Sequence, residues 1–151
     1  MGASAQVVEL KPEEMLKLLP DEIKGFDPTE AFISKQMKVG TITYTLCEKK
    51  FNLGDRSIKF LLFDFSHAEI MYQQAMRRWK EIHPVESDSI VLRAVAMDNC
   101  IGWESYRKQT GQSQIFLGIC GRYFLTMAGE KVDLTDLKSV LRQVALDKFP
   151  K

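Results

Sequence analysis

The chain has two histidines and three cysteines in 151 residues, and neither set has the spacing of a metal site. No C-x-x-C occurs, and neither His67 nor His83 has a second histidine at ligand spacing. A zinc cluster and a thioredoxin-like redox centre therefore have no support. No apolar run reaches the ~18 residues that a membrane-spanning helix needs. The formal net charge is +1, so the basic footprint of a nucleic-acid binder or an anionic-membrane binder is missing. Gly118-Ile119-Cys120-Gly121 is too short for a phosphate-binding loop and does not run from a strand into a helix. Ser105-Tyr106-Arg107-Lys108 fits S-x-x-K, but positions three apart in a strand point to opposite faces. Ser105 and Lys108 would not meet, so an acyl-enzyme nucleophile is excluded. No cofactor is implied.

What is present suits one globular domain. Apolar residues make up 45% and charged residues 27%, and a chain of this length buries roughly 68–70% of its unfolded surface without a metal or disulfide staple. The expected organisation is a flexible segment over 1–10 and a single α+β domain over 11–151. At the start, "MGASAQ" departs from an N-myristoylation signal at Gln6. Ala3-Ser4-Ala5 has the small-x-small form of a signal-peptidase site, although no apolar stretch precedes it. Cys47, Cys100 and Cys120 leave two arrangements open: a Cys100–Cys120 bridge with one thiol, or three thiols.

Periodicity sets out the elements. Pro12 suits the first turn of a short helix over 11–19 that Pro20 stops. Residues 21–38 are weakly patterned and read as a loop, with a short strand near 31–33. From Gly40 to Cys47, Ile42, Tyr44 and Leu46 alternate with threonines, as in a half-buried strand. A turn at Gly54-Asp55 returns the chain through a strand over 58–65, which sets Tyr44 across from Phe65 and Leu46 across from Phe63. Ser66-His67-Ala68-Glu69 has the form of a capping box. Ala68, Met71, Tyr72, Ala75, Met76 and Trp79 then recur at helical spacing over 67–80. Strands follow over 90–97, 101–108, 114–120 and 122–128. Asp133 or Thr135 caps a last helix, whose inward stripe is Leu134, Leu137, Val140, Leu141 and Val144. Short turns require antiparallel pairing. The expected fold class is α+β: an antiparallel sheet of five or more strands (hairpin, helix, meander, helix) packed against helices over 67–80 and 134–145.

"LLPDEIKGF", from Leu18 to Phe26, resembles the start of small, uncharacterised bacterial exported proteins. These begin with Leu-Pro, an acidic position, Gly and an aromatic residue. "CGRYFLTMAG" followed by "DLTDLKSVLRQVALDKF" is similar to their ends, and the architecture resembles the PsbP-like α/β/α sandwich. The resemblance covers most of 18–149; the three cysteines depart from it. It implies an exported or periplasmic protein serving binding or assembly, with no catalytic residues. It makes Pro20 and Gly25 fold punctuation and Phe26 a core anchor.

Three functions follow as expectations. The first is a non-enzymatic binding or assembly protein for a protein or small-molecule partner, recognised at the sheet edge or at 21–38 and 81–89. The second is a carrier whose apolar pocket is lined by Phe60, Trp79 and Trp103. The third is an enzyme whose site assembles only in the fold, with Glu104, Arg107 and Arg122 as candidates. Other strand charges, Arg93 and Asp98 among them, read as a solvated sheet face, and Arg77, Arg78 and Lys80 as an outer helix face. The sequence sets no oligomeric state.

Overall fold

A computed structural model describes residues 7–29, 31–97 and 99–151, apart from the side chain of Trp79. The expectations placed on Ala3-Ser4-Ala5, on Asp98 and on the Trp79 side chain lie outside the described residues. The elements run α1 (Pro12–Leu16), β1 (Asp27–Pro28), β2 (Ile33–Val39), β3 (Ile42–Leu53), β4 (Arg56–Asp64), α2 (Glu69–Glu81), β5 (Val85–Glu86), β6 (Ile90–Met97), β7 (Cys100–Arg107), β8 (Gln112–Ile119), β9 (Tyr123–Glu130) and α3 (Leu134–Leu141). A short 3-10 turn follows at Leu146–Lys148.

The α+β expectation with helices layered on the sheet is corrected. Nine strands form one sheet in the order β1-β3-β4-β9-β8-β7-β6-β5, with β2 also on β3. All strand pairs are antiparallel. The helices of 5, 13 and 8 residues cover only patches of it, so the fold is dominated by its sheet. The difference comes from 21–53. The stretch read as a loop carries β1 and most of β2, and β3 runs on to Leu53. Ile33, Met37 and Val39 alternate with Ser34, Gln36 and Lys38, but Lys35 interrupts the apolar parity and Ile33 and Val39 stay exposed, so the pattern is broken on this edge strand half open to water.

The first hairpin turns at Gly54-Asp55 as expected, with Leu46 opposite Phe63 and the Tyr44 and Phe65 rings 5.5 Å apart. The capping box is not formed. Ala68 holds the N-cap position of α2 without a side-chain bond, because the Asp64 carboxylate accepts the Ser66 N–H at 3.0 Å and a further turn closes from Ala68 N–H to Phe65 O. Asp133 caps α3 by accepting the Asp136 N–H at 2.8 Å.

β9 joins the two halves of the sheet by lying between β4 and β8. The chain must therefore cross β9, β8 and β7 to pass from β4 to β6. Four strand spacings of ~4.8 Å amount to ~19 Å, and α2, with 13 residues, spans about 20 Å at 1.5 Å per residue. The crossover helix thus fits the distance it bridges. Gly118 lets it lie close: a Cβ there would stand 2.5 Å from the Tyr72 hydroxyl and 2.7 Å from Met76 Sδ.

The strand alternation divides the core in two. Phe51, Ile58, Phe60, Leu62, Ile115, Leu117 and Leu125 face α1 and α3. Phe65, Trp103 and Phe124, with Tyr44, Phe63 and Phe116, face α2. Among the described residues no helix is long and apolar enough to cross a membrane.

Candidate functional site

Among the described residues, buried charge is confined to the face that packs against α1 and α3. Lys49 shares the parity of Cys47 and Phe51 on β3 and is 1% exposed. Its ammonium donates to Leu19 O at 3.0 Å, Pro20 O at 3.2 Å and Asp21 Oδ1 at 2.8 Å, and lies 4.6 Å from the centre of the Phe32 ring. All three donors are used. The Leu18–Phe26 stretch is thus fastened from below by a lysine, and Phe26 packs at the edge of the same core.

Asp64 and Arg122 form a second buried unit. Arg122 donates from Nε to Asp64 Oδ1 and from Nη2 to Asp64 Oδ2, both at 2.8 Å, and from Nη2 to Val8 O at 2.7 Å. Burial works against the guanidinium charge, but the Asp64 carboxylate outweighs it and holds the pKa above its ordinary value. The two-residue turn before Arg122 has Cys120 and Gly121 at φ 56° and 65°, the left-handed pair that suits a tight hairpin. Beside this unit, burial pushes the Tyr123 hydroxyl pKa up while that hydroxyl donates to Pro150 O at 2.8 Å. Burial also pushes the Cys47 thiol up to about 12.

Glu104 is the third. On β7 it faces Ile115 of β8 and Arg93 of β6, and its side chain is 3% exposed. Lys138 Nζ approaches Oε1 at 2.8 Å and Arg93 Nη1 at 3.6 Å. Among the described residues Oε2 has no hydrogen-bond partner. Glu104 lines a groove of about 730 Å³ between the β6 edge and α3. The sheet side is made by Ala94, Val95, Cys100 and Ile115, and the helical side by Lys138, Leu141, Arg142, Val144 and Leu146. A second cleft of about 680 Å³ runs along α2, between Ile70, Tyr72, Arg77 and Lys80 and the exposed Ile101.

The residues singled out in the sequence are dispersed. Glu104 is in the groove. Arg107 is exposed at the far end of β7. Arg122 is locked to Asp64 beside the β8–β9 turn. Phe60 is in the core, packed edge-on to Phe51 at 6.1 Å. Trp103 stacks on Phe116 at 4.8 Å on the opposite face, so Phe60 and Trp103 line no common cavity. Cys47 and Cys120 carry thiols, which excludes the Cys100–Cys120 bridge. Among the described residues no group of three or more His, Cys, Asp or Glu side chains is placed to hold a metal ion. Lys138 and Lys49 were missed, although both carried a signal. Lys138 stands four residues after Leu134 and three before Leu141, at the edge of the inward stripe. Lys49 follows the inward parity of β3.

No family model, curated protein or solved structure matches this chain.

Proposed function

We propose that the protein is a non-enzymatic binding protein that carries a small, largely apolar molecule in the groove beneath α3. One observation carries the reading: a groove of about 730 Å³, above the ~300 Å³ at which ligand sites begin, is walled by the buried carboxylate of Glu104, a group that does not line the similar-sized cleft along α2. The groove's lining also has the composition of such a site, with apolar walls and a few convergent polar groups. The enzyme reading draws less support, because Glu104, Arg107 and Arg122 do not converge. A second reading, a partner protein that adds a strand, rests on β6. β5 pairs only with Val91 and Leu92, which leaves the outer edge from Arg93 to Met97 without a strand among the described residues.

Amide NMR of the full chain titrated with 2-naphthol tests the carrier. Shifts confined to Ala94–Cys100 and 138–147 are expected, and Val144→Trp, which fills the groove, should remove them. Shifts along α2 instead, or none, would overturn the reading.

A further inference from the structure

We infer that the groove selects a molecule carrying a neutral hydroxyl group, which it seats beside the Glu104–Lys138 pair within reach of both; this rests on the groove being the ligand site. A carboxylate has about four acceptor directions. Lys138 and Arg93 both approach Oε1, and Oε2 is shielded from solvent without a partner among the described residues. A buried acceptor left empty carries its full desolvation penalty, and a donor that reaches it removes that penalty. Rotation about the last side-chain torsion is soft, so a donor in the groove can be met by either oxygen.

The charges of the lining narrow the class. Lys138 and Arg142 on the helical side, with Arg93 beside Glu104, face two acids, Glu104 and Asp147. A ligand cation would enter a site whose carboxylate is already compensated. A ligand anion would set like charge against Glu104 in a poorly solvated place. An ether or ketone would point an acceptor at an acceptor. A hydroxyl fits both neighbours, since it donates to the carboxylate and accepts from the Lys138 ammonium, which carries three donors. Val95, Ile115, Leu141 and Val144 supply the apolar wall for the rest of the molecule.

Calorimetric titration of the full chain with four probes on one naphthalene body separates these cases: 2-naphthol, 2-methoxynaphthalene, 2-naphthoate and 2-naphthylmethylammonium. 2-Naphthol should bind about 10-fold or more tightly than 2-methoxynaphthalene, the factor expected for one hydrogen bond to a charged group. Glu104→Gln should shrink that preference, and Glu104→Leu should abolish it while the methoxy probe still binds. Circular dichroism melts confirm that each variant is folded. Equal affinities for the first two probes, or tightest binding of the ammonium or carboxylate probe, would overturn the hydroxyl assignment and leave the groove reading standing. Failure of all four to bind, or binding that Val144→Trp does not weaken, would overturn both.

Discussion

The two faces of the sheet are built from different materials. The face under α2 is a row of rings: Tyr44, Phe63, Phe124, Phe116 and Trp103 follow one another across five strands at centroid separations of 4.8–6.4 Å. The face under α1 and α3 is mainly aliphatic, yet it holds Lys49, Asp64, Glu104 and Arg122 at 6% exposure or less. Aromatic rings fill space beneath one crossing helix, and their contacts with one another carry no net charge. The other face must receive the N-terminal stretch, the last helix and the C-terminal turn, and buried charges fix these irregular segments by accepting or donating at named backbone atoms. Lys49 and the Asp64–Arg122 pair do this. Among the described residues Glu104 binds no backbone group in this way; its Oε2, like Arg122 Nη1, has no partner there, but Glu104 alone of these charges stands where the groove beneath α3 opens. Buried charge on this face is therefore of two kinds, and the kinds can be separated by experiment.

The largest effect should come from the structural kind. Arg122→Met leaves the Asp64 carboxylate buried without its counter-ion, and breaking such a pair costs ~3–5 kcal/mol. Urea unfolding measures it, and a loss below ~1 kcal/mol would remove the distinction between this pair and Glu104. On the aromatic face charge plays no part, so shape should decide. Gly118→Val would drive two methyl groups into Tyr72 and Met76, and overpacking of this kind costs ~1–3 kcal/mol. Unchanged stability in that variant would mean that α2 does not lie against β8 as described.

Legibility in the sequence follows the same division. The ring face could be read, because Tyr44, Phe63, Trp103, Phe116 and Phe124 alternate with residues of the other face and the Gly54-Asp55 turn pins the register of Leu46 against Phe63. The charged face could be read only in part. Lys49 looks like surface inside "CEKK" unless the parity of Cys47 and Phe51 is allowed to overrule its charge. β2 hides because Lys35 interrupts the apolar parity of Ile33, Met37 and Val39. The groove has no local signature at all: its walls come from 94–104, Ile115 and 138–147, which meet only through the meander and the turn into α3. Glu104 could be named as a candidate, but Arg107 and Arg122, charged residues of the same meander, could not be told apart from it in importance without the fold.

Cys47 gives a finer probe of the same face. Its thiol is buried beside Lys49, and burial raises its pKa to about 12, so a thiol reagent at pH 8 should modify Cys120, which is partly exposed, long before Cys47. The sign of the pH dependence follows from linkage. Below the unfolded thiol pKa of ~8.5 both states hold the proton and nothing changes with pH. Above it the unfolded chain releases the proton while the folded chain retains it, so stability falls as pH rises from about 9 towards 12. Cys47→Val should flatten that part of the profile in denaturant unfolding. An identical alkaline slope in both proteins would mean that Cys47 is not held as a neutral thiol in the interior.

The smallest change in stability is expected at the site itself. Glu104→Leu removes a buried carboxylate whose Oε2 has no partner among the described residues and puts an aliphatic side chain among Val95, Ile115 and Leu141. The cations it leaves behind are not stranded: Lys138 is 43% exposed, and Arg93 keeps Glu86 at 3.1 Å. Replacing a buried ion pair by a hydrophobic side chain of similar size is often neutral or stabilising. Unfolding of Glu104→Leu should therefore differ from the parent by less than ~1 kcal/mol, or show a small gain, in contrast to the ~3–5 kcal/mol lost at Arg122. A residue that can be removed at no cost to the fold, on a face where the other buried charges cannot, fits the binding role proposed for it, since function is often held at some expense in stability. If Glu104→Leu instead destabilises the chain as much as Arg122→Met, the carboxylate is a brace between β7 and α3, the two kinds of buried charge become one, and the groove loses its distinguishing group.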